Sequence, residues 1–445
     1  MSSHKRIPDW FADAKFGIYF TWIVYCVPAY KSEWYPYFMY RPENNAYDHH
    51  NKTYGKNFEY HQFIPIFKAE HFDAKEWAKL FKLAGAKFAG PCAIHHDGFA
   101  MWKSDVNPWN SFDMGPKKEI TGELLSALKK EGLKTITTFH HARNRQRNAD
   151  DSSNWAMSGK ENTGYDSHFA YNPKRATSST DSKLKYLYGN LSEKDFDNYW
   201  LAQVEEVVDK YSPDMIWFDS WLNLVPEDYR RRCIEYYFKQ AKTEKREVAV
   251  GYKQMDLPKN IGVEDIEQGG KKELSPNMWM TDITLSYGSW SYVNGQTYKT
   301  ADLVLRNMID VWSKNGVVLL NISPRADGVI PEEQRKVLAQ IGEWMKKYGE
   351  AVYNTVPFGL YGFGDAVADN GHFGGQSATV NYTERDVRFT MSKDGKNLYM
   401  FFLGKPKAES KLEVKSFAPH RYPVLGVIKR VTLLGSDNIV KYNQT

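Results

Sequence analysis

The chain has 445 residues, 42% hydrophobic, 25% charged and 15% aromatic, the proportions of an ordinary globular protein, which exclude disordered and collagen-like classes. Its 59 Lys and Arg stand against 54 Asp and Glu, leaving a net charge of +5 with no basic run of the kind that tracks nucleic acid.

The first buried run is Phe16 to Phe20, inside an uncharged stretch that reaches Tyr30. That stretch is too short for a membrane span of about 20 residues and carries Pro28. It also makes a poor leader, because Asp9 and Asp13 precede it and Trp22, Tyr25 and Tyr30 crowd the place of small cleavage-site residues. The expectation is a cytoplasmic chain, or a mature one whose signal has been removed. A helix near Asp73 to Ala84 then precedes a strand at Phe88 to Ile94, and Gly122 to Glu131, closed by Gly132, precedes Lys134 to Phe139. From Asp195 to Tyr211, the residues Phe196, Tyr199, Trp200, Val204, Val207, Val208 and Tyr211 recur at spacings mostly of three and four, the core-facing stripe of a helix. Ser212-Pro213 stops it. Met215 to Phe218 follows as a strand buried on both faces. Glu227 to Ala241 feeds Val248 to Lys253, and Ala301 to Ser313 feeds Val317 to Ile322.

This alternation, with no dinucleotide glycine fingerprint, predicts an α/β fold: a distorted (β/α)8-type, TIM-like barrel rather than a doubly wound sheet. Beyond a helix at Glu332 to Lys347, Glu384 to Leu403 reads as two extended runs joined by the turn Lys393-Asp394-Gly395-Lys396-Asn397. The predicted division is a catalytic barrel over residues 1–355 and a C-terminal β-sandwich over 356–445. Cys26, Cys92 and Cys233 form no CxxC pair, and an odd number cannot close a disulfide framework.

In a barrel, working residues gather where strands run into the following loops. The polar residues there are Thr21 with Trp22, His95-His96-Asp97, His140-His141, Asp219, Lys253, and Asn321 with Arg325. Asp219 ends a buried strand between Trp217 and Trp221, a setting that can orient a nucleophile; the plainer reading is a loop cap. Imidazoles donate and accept, so His95-His96 suits sugar hydroxyls, against a plain structural role. The pair has no metal-ligand spacing around it, and adjacent residues of a strand face opposite ways, so no metal is expected. Trp22, Trp34, Tyr35, Trp102, Trp109, Trp221 and Trp290 fall in polar contexts, and aromatic faces stack on sugar C–H faces. Glycoside hydrolysis needs a second carboxyl group as proton donor. The loop Gly262-Val-Glu-Asp-Ile-Glu-Gln-Gly-Gly270 offers Glu264 and Glu267, between which spacing does not choose, and its plainer reading is a solvated acidic loop.

From Trp10 to about Pro357 the chain resembles the α-L-fucosidases of glycoside hydrolase family 29. The resemblance is carried, in order, by Trp10-Phe-Ala-Asp-Ala-Lys-Phe-Gly17, Val27-Pro28-Ala29, Ser32-Glu33-Trp34-Tyr35, His95-His96-Asp97-Gly98-Phe99 and Trp217-Phe218-Asp219. Trp279-Met-Thr-Asp282, Ser289-Trp290-Ser-Tyr292, Ser313-Lys-Asn-Gly316, Leu320-Asn-Ile-Ser-Pro-Arg-Ala-Asp-Gly328 and Ile341-Gly-Glu-Trp344 continue it. It implies a distorted barrel followed by a β-sandwich, and a retaining mechanism with Asp219 as nucleophile and Glu267 as acid/base, Glu264 being the alternative. It further implies sugar contacts from Thr21, Glu33, Trp34, His95, His96, His140, Trp217, Lys253 and Trp290, no cofactor, and a periplasmic or extracellular place of action.

One departure bears on substrate. Where the family's first strand ends in His-Trp-Gly, this chain has Thr21-Trp22-Ile23, a shorter hydroxyl in place of an imidazole. The expected substrate is therefore a terminal α-L-fucose or a relative such as L-galactose, on an oligo- or polysaccharide that includes sulfated algal glycans. Nucleic-acid and membrane partners are not expected. The rival expectations are a carbohydrate-binding relative that has lost catalysis, and metal-dependent hydrolysis at the histidine clusters.

Overall fold

The computed structural model describes residues 7–146, 167–254, 256–366, 380–407, 411, 413, 414, 417, 427–436 and 440–444. Eight parallel strands close into a barrel in chain order: β1 (Phe16–Phe20), β2 (Phe88–Ile94), β3 (Lys134–Phe139), β4 (Met215–Phe218), β5 (Ala249–Lys253), β6 (Val263–Asp265), β7 (Trp279–Thr284) and β8 (Gly316–Ile322). β8 pairs back to β1, with Phe16 opposite Val318 and Phe20 opposite Ile322. The strand-helix alternation read from the sequence stands, with two strands added. β6 spans three residues, too few to show any period, and the expected acidic loop begins inside it. β7 alternates Met280, Asp282 and Thr284 on one face, a polar pattern that does not read as a buried strand.

Side chains alternate across each strand, so every second residue points into the barrel. Tyr19, Phe88, Ile136, Met215, Trp217, Ala249, Val263, Met280, Val317 and Leu319 form one interior cluster that plugs the barrel below the strands' C-terminal ends. The indole of Trp217 fits because its neighbour on β5 is Gly251: a Cβ there would meet the indole Cδ1 at 2.3 Å. The outward faces pack on the helices through two larger clusters, one of them built on Trp200, Val204, Val207 and Val208 of helix Glu193–Tyr211.

β9 (Thr355–Phe363), β10 (Val387–Ser392) and β11 (Leu398–Phe402) form a C-terminal antiparallel sheet in the order β11-β10-β9, whose Phe358, Val387 and Phe389 make a small core of their own. Its tie to the barrel is partly apolar, Phe401 packing 6.3 Å from Trp344, and partly ionic. Arg388 of β10 places Nε 2.6 Å from Asp310 Oδ1 on helix Ala301–Ser313, and Lys314 Nζ lies 2.8 Å from Asp310 Oδ2, all with side chains at most 2% exposed. The three cysteines are buried and unpaired. Among the described residues no helix is long and apolar enough to cross a membrane.

Candidate active site

The interior parity that plugs the barrel with apolar groups brings polar groups to its C-terminal mouth. Two residues beyond an apolar interior position lie Thr21 after Tyr19, Asp219 after Trp217, Asp265 after Val263, Asp282 after Met280 and Asn321 after Leu319. Lys253 likewise follows Gly251.

Lys253 is the centre. Its ammonium lies 2.9 Å from Asp219 Oδ1, 2.7 Å from Glu267 Oε2 and 3.2 Å from Asp282 Oδ2, and 4.9 Å from the Trp217 ring centroid. Burial alone would drive a lysine toward neutrality, but the carboxylates outweigh it and hold Lys253 well above its usual range. Because one nitrogen touches both, the facing oxygens of Asp219 and Glu267 lie no farther apart than the sum of 2.9 and 2.7 Å. Carboxyl oxygens that close are compatible with the about 5–5.5 Å between the carboxyl groups of a retaining pair.

The two acids are driven in opposite directions. Burial disfavours the charged form of Asp219, yet Lys253, His140 and His96 overcome it and hold the carboxyl well below the usual range. For Glu267 burial prevails over Lys253, and the charges of Asp282 and Asp219 add to it, pushing the group up to about 7. One carboxylate and one carboxylic acid side by side is the division of labour that glycoside cleavage requires. Each retains 9% exposure, whereas Asp265 and Asp282 below them are at 0% and 1%, so Asp219 and Glu267 are the members that can meet a substrate.

Two histidines complete the setting of Asp219. Thr138 Oγ1 lies 2.9 Å from His140 Nε2, and His140 Nδ1 faces Asp219 Oδ2 at 3.2 Å. His96 Nδ1 lies 2.6 Å from the His140 carbonyl, and its Nε2 faces Asp219 Oδ2 at 3.4 Å. Burial drives His96 down to about 4 against the pull of Asp219, keeping the ring neutral. His95 Nδ1 has no protein partner among the described residues. The chain turns immediately after β2, which brings His95 and His96 to one side despite their adjacency. With His140, their ligand atoms lie within 4.8 Å of one another, a set whose chemistry suits a transition metal as well as hydroxyls.

The rim is aromatic. Trp34 packs 5.5 Å from His96 and 5.6 Å from Trp221, and Trp290 sits 6.3 Å from Tyr19. Glu33 accepts from Trp290 N at 3.1 Å and Ser289 Oγ at 3.3 Å, and so fixes that part of the wall. With its amide turned to satisfy its neighbours, Asn321 donates to the Trp290 carbonyl at 2.7 Å and accepts from Thr21 Oγ1 at 2.9 Å. Thr21 is therefore seated in the mouth.

The structure gathers Asp219, Glu267, Lys253, His95, His96, His140, Trp217, Trp34, Trp290, Glu33 and Thr21 about one mouth, but not Glu264. Val263 and Asp265 face inward, and Glu264 between them on the strand faces the outer layer. His141 is also turned away, stacked on Trp200. Sequence reasoning missed Tyr19, Asp265, Asp282 and His168 as site residues. The first three share the interior parity of assigned neighbours, a signal available once the strands are known. His168 lies in no strand or helix and reaches His96 and Trp34 only through the tertiary fold. Trp221, two residues past Asp219, takes a left-handed backbone (φ 68°), uncommon for so bulky a side chain and of the sort that clusters at working sites.

The alpha-L-fucosidase family model matches residues 1–350. A tissue alpha-L-fucosidase of Rattus norvegicus is 29% identical over 371 residues, covering 80% of this chain and 71% of its own length. An alpha-L-fucosidase of Dictyostelium discoideum is 26% identical over 368 residues, covering 80% and 73%. Among solved structures, that of a Thermotoga maritima alpha-fucosidase in complex with fucose superposes with a TM-score of 0.69 at 29% identity, over 91% of this chain and 85% of that one. The chain, with its eight-stranded barrel and C-terminal sheet, belongs to the alpha-L-fucosidase family of glycoside hydrolases.

Proposed function

We propose that the protein is an exo-acting α-L-fucosidase that releases a terminal sugar by two displacements, with net retention at the anomeric carbon. The observation that carries this is the close pair of unlike acids, Asp219, held ionised, and Glu267, pushed up to about 7, both against one ammonium. In the first step an Asp219 oxygen bonds to C1 as the glycosidic C1–O bond breaks, and the Glu267 proton passes to the departing oxygen. In the second, Glu267 takes a proton from water, the water oxygen bonds to C1, and the ester to Asp219 breaks. Lys253 and His140 fix the attacking carboxylate, so little reorientation is needed when it reacts. His95 and His96, kept neutral by burial, supply acceptors and donors for ring hydroxyls, and Trp34, Trp217 and Trp290 supply apolar walls.

A second substrate reading rests on Thr21. The family pattern has a histidine there, and the shorter threonine, bound to Asn321, leaves more room for a C6 substituent. This supports α-L-galactosides, and sulfated or otherwise C6-substituted relatives from algal polysaccharides, as substrates beside fucosides. The test is a panel of aryl α-L-fucoside, aryl α-L-galactoside and sulfated algal oligosaccharides, scored for released monosaccharide. Release of α-L-fucose as the first-formed anomer is expected. Turnover of none of them, or first release of the β anomer, would overturn the proposal.

A further inference from the structure

Below the two reacting carboxyl groups lies a second acid pair that the mechanism above leaves unused. Asp265 ends β6 and Asp282 lies on β7, both pointing inward and at 0% and 1% exposure. Asp282 Oδ2 takes a hydrogen bond from Tyr19 Oη at 3.0 Å and faces Lys253 Nζ at 3.2 Å. Asp282 Oδ1 and both oxygens of Asp265 receive no N–H or O–H from the described residues. Three buried carboxyl oxygens without a donor would be costly, since each such group normally finds a partner. A single proton removes most of the cost. Placed on Asp265, it turns one of that group's oxygens into a donor to Asp282 Oδ1, so that two of the three orphaned oxygens satisfy each other.

We infer that Asp265 is carried as a neutral carboxylic acid that donates to Asp282, and that it acts as a positioning residue. By fixing Asp282 as the third acceptor on Lys253, it holds the ammonium between Asp219 and Glu267. The inference rests on the proposed roles of those two acids. Asp282 is the acceptor rather than the proton carrier because its Oδ2 already meets an ammonium and a phenol, while Asp265 meets neither. The groups facing the pair are Tyr19 from β1, Asp219 after β4, Lys253 from β5 and Glu267 after β6, and β8 carries no titratable residue. Burial, then the charge of Asp282, drives Asp265 well above the usual carboxylate range, consistent with the same assignment.

The consequence for catalysis is a division between one charged and one neutral member. The charge of Asp282 is among the influences that raise Glu267, so removing it should lower the pH at which the acid is lost. Removing the proton carrier and its donor should instead loosen Lys253.

Infrared spectroscopy of the full chain without substrate tests the proton directly. At a pH well above the about 7 of Glu267, a protonated-carboxyl C=O band is expected in the wild type, absent in Asp265→Asn and retained in Asp282→Asn. No band in the wild type, or loss of the band in Asp282→Asn with retention in Asp265→Asn, would overturn the assignment. Kinetics then test the positioning. Asp265→Leu should lose about tenfold or more in kcat/KM, the cost of a buried acceptor left unpaired, and Asp265→Asn, which keeps an N–H donor, should recover most of it. Asp282→Asn should move the basic limb of the kcat/KM profile down by about one pH unit. An unmoved limb in Asp282→Asn, or no recovery in a folded Asp265→Asn, would refute the positioning role. The infrared result needs no turnover, so failure of the glycosidase reading would leave it standing.

Discussion

Glu267→Ala is the perturbation with the most to say. In the wild type the group sits at about 7, raised chiefly by burial and further by Asp282 and Asp219, against Lys253. At pH 5 about 99% of it carries the proton needed by the leaving group, and at pH 9 about 1% does, so kcat/KM should fall along a basic limb near 7. A positioned general acid contributes about 10²–10⁴-fold, equivalent to about 2.7–5.5 kcal/mol of barrier. Glu267→Ala should therefore lose that much on an alkyl or sugar aglycone. A dinitrophenyl α-L-fucoside, whose leaving group departs without protonation, should lose far less in the first step. Its second step is then slow for want of a base, and azide should restore it by attacking C1 of the Asp219 ester. Two displacements return the starting configuration, so the product is the α-L-fucosyl azide. The assay is a pH series of kcat/KM on both substrates, with NMR of the azide product. A limb near 7 that persists in Glu267→Ala, equal losses on both leaving groups, or a β-configured azide would refute the reasoning.

Asp219→Asn should leave the fold intact by circular dichroism while cutting kcat on every α-L-glycoside by about 10⁴-fold or more, as losing a residue that bonds to substrate does. Thr21→His should shift the ratio of kcat/KM for aryl α-L-fucoside over α-L-galactoside upward by about tenfold, since a filled corner rejects the extra C6 hydroxyl; an unchanged ratio would mean that Thr21 does not face that carbon. Asp310→Ala should leave Arg388 and Lys314 as buried unpaired cations and cost about 3–5 kcal/mol in denaturant unfolding, whereas a change confined to a few tenths would show that the sheet is held otherwise.

Much of the barrel was legible because its longer strands follow amphipathic helices and are apolar on both faces, as Phe88 to Ile94 and Met215 to Phe218 are. β7 escaped because its inward positions include Asp282 and Thr284, polar residues buried for the sake of the site rather than the core. β6 escaped by brevity. The place of Asp219 at the barrel mouth could be read locally, since it ends a hydrophobic strand. Choosing Glu267 over Glu264 needed the family likeness, and the structural reason is a parity that three residues of strand do not disclose. Nothing local marks Asp265 as a proton carrier, for its state depends on Asp282 from the neighbouring strand and on Lys253. The Thr21–Asn321 contact spans 300 positions of sequence and joins the two strands that close the barrel.

The measurement closest to the centre of the account is covalent trapping with a slowly hydrolysed 2-fluoro-L-fucosyl fluoride, followed by peptide mass mapping. The account predicts one added fluorofucosyl group per chain, on the carboxyl of Asp219. Label on Glu267, Asp282 or any other residue would contradict it.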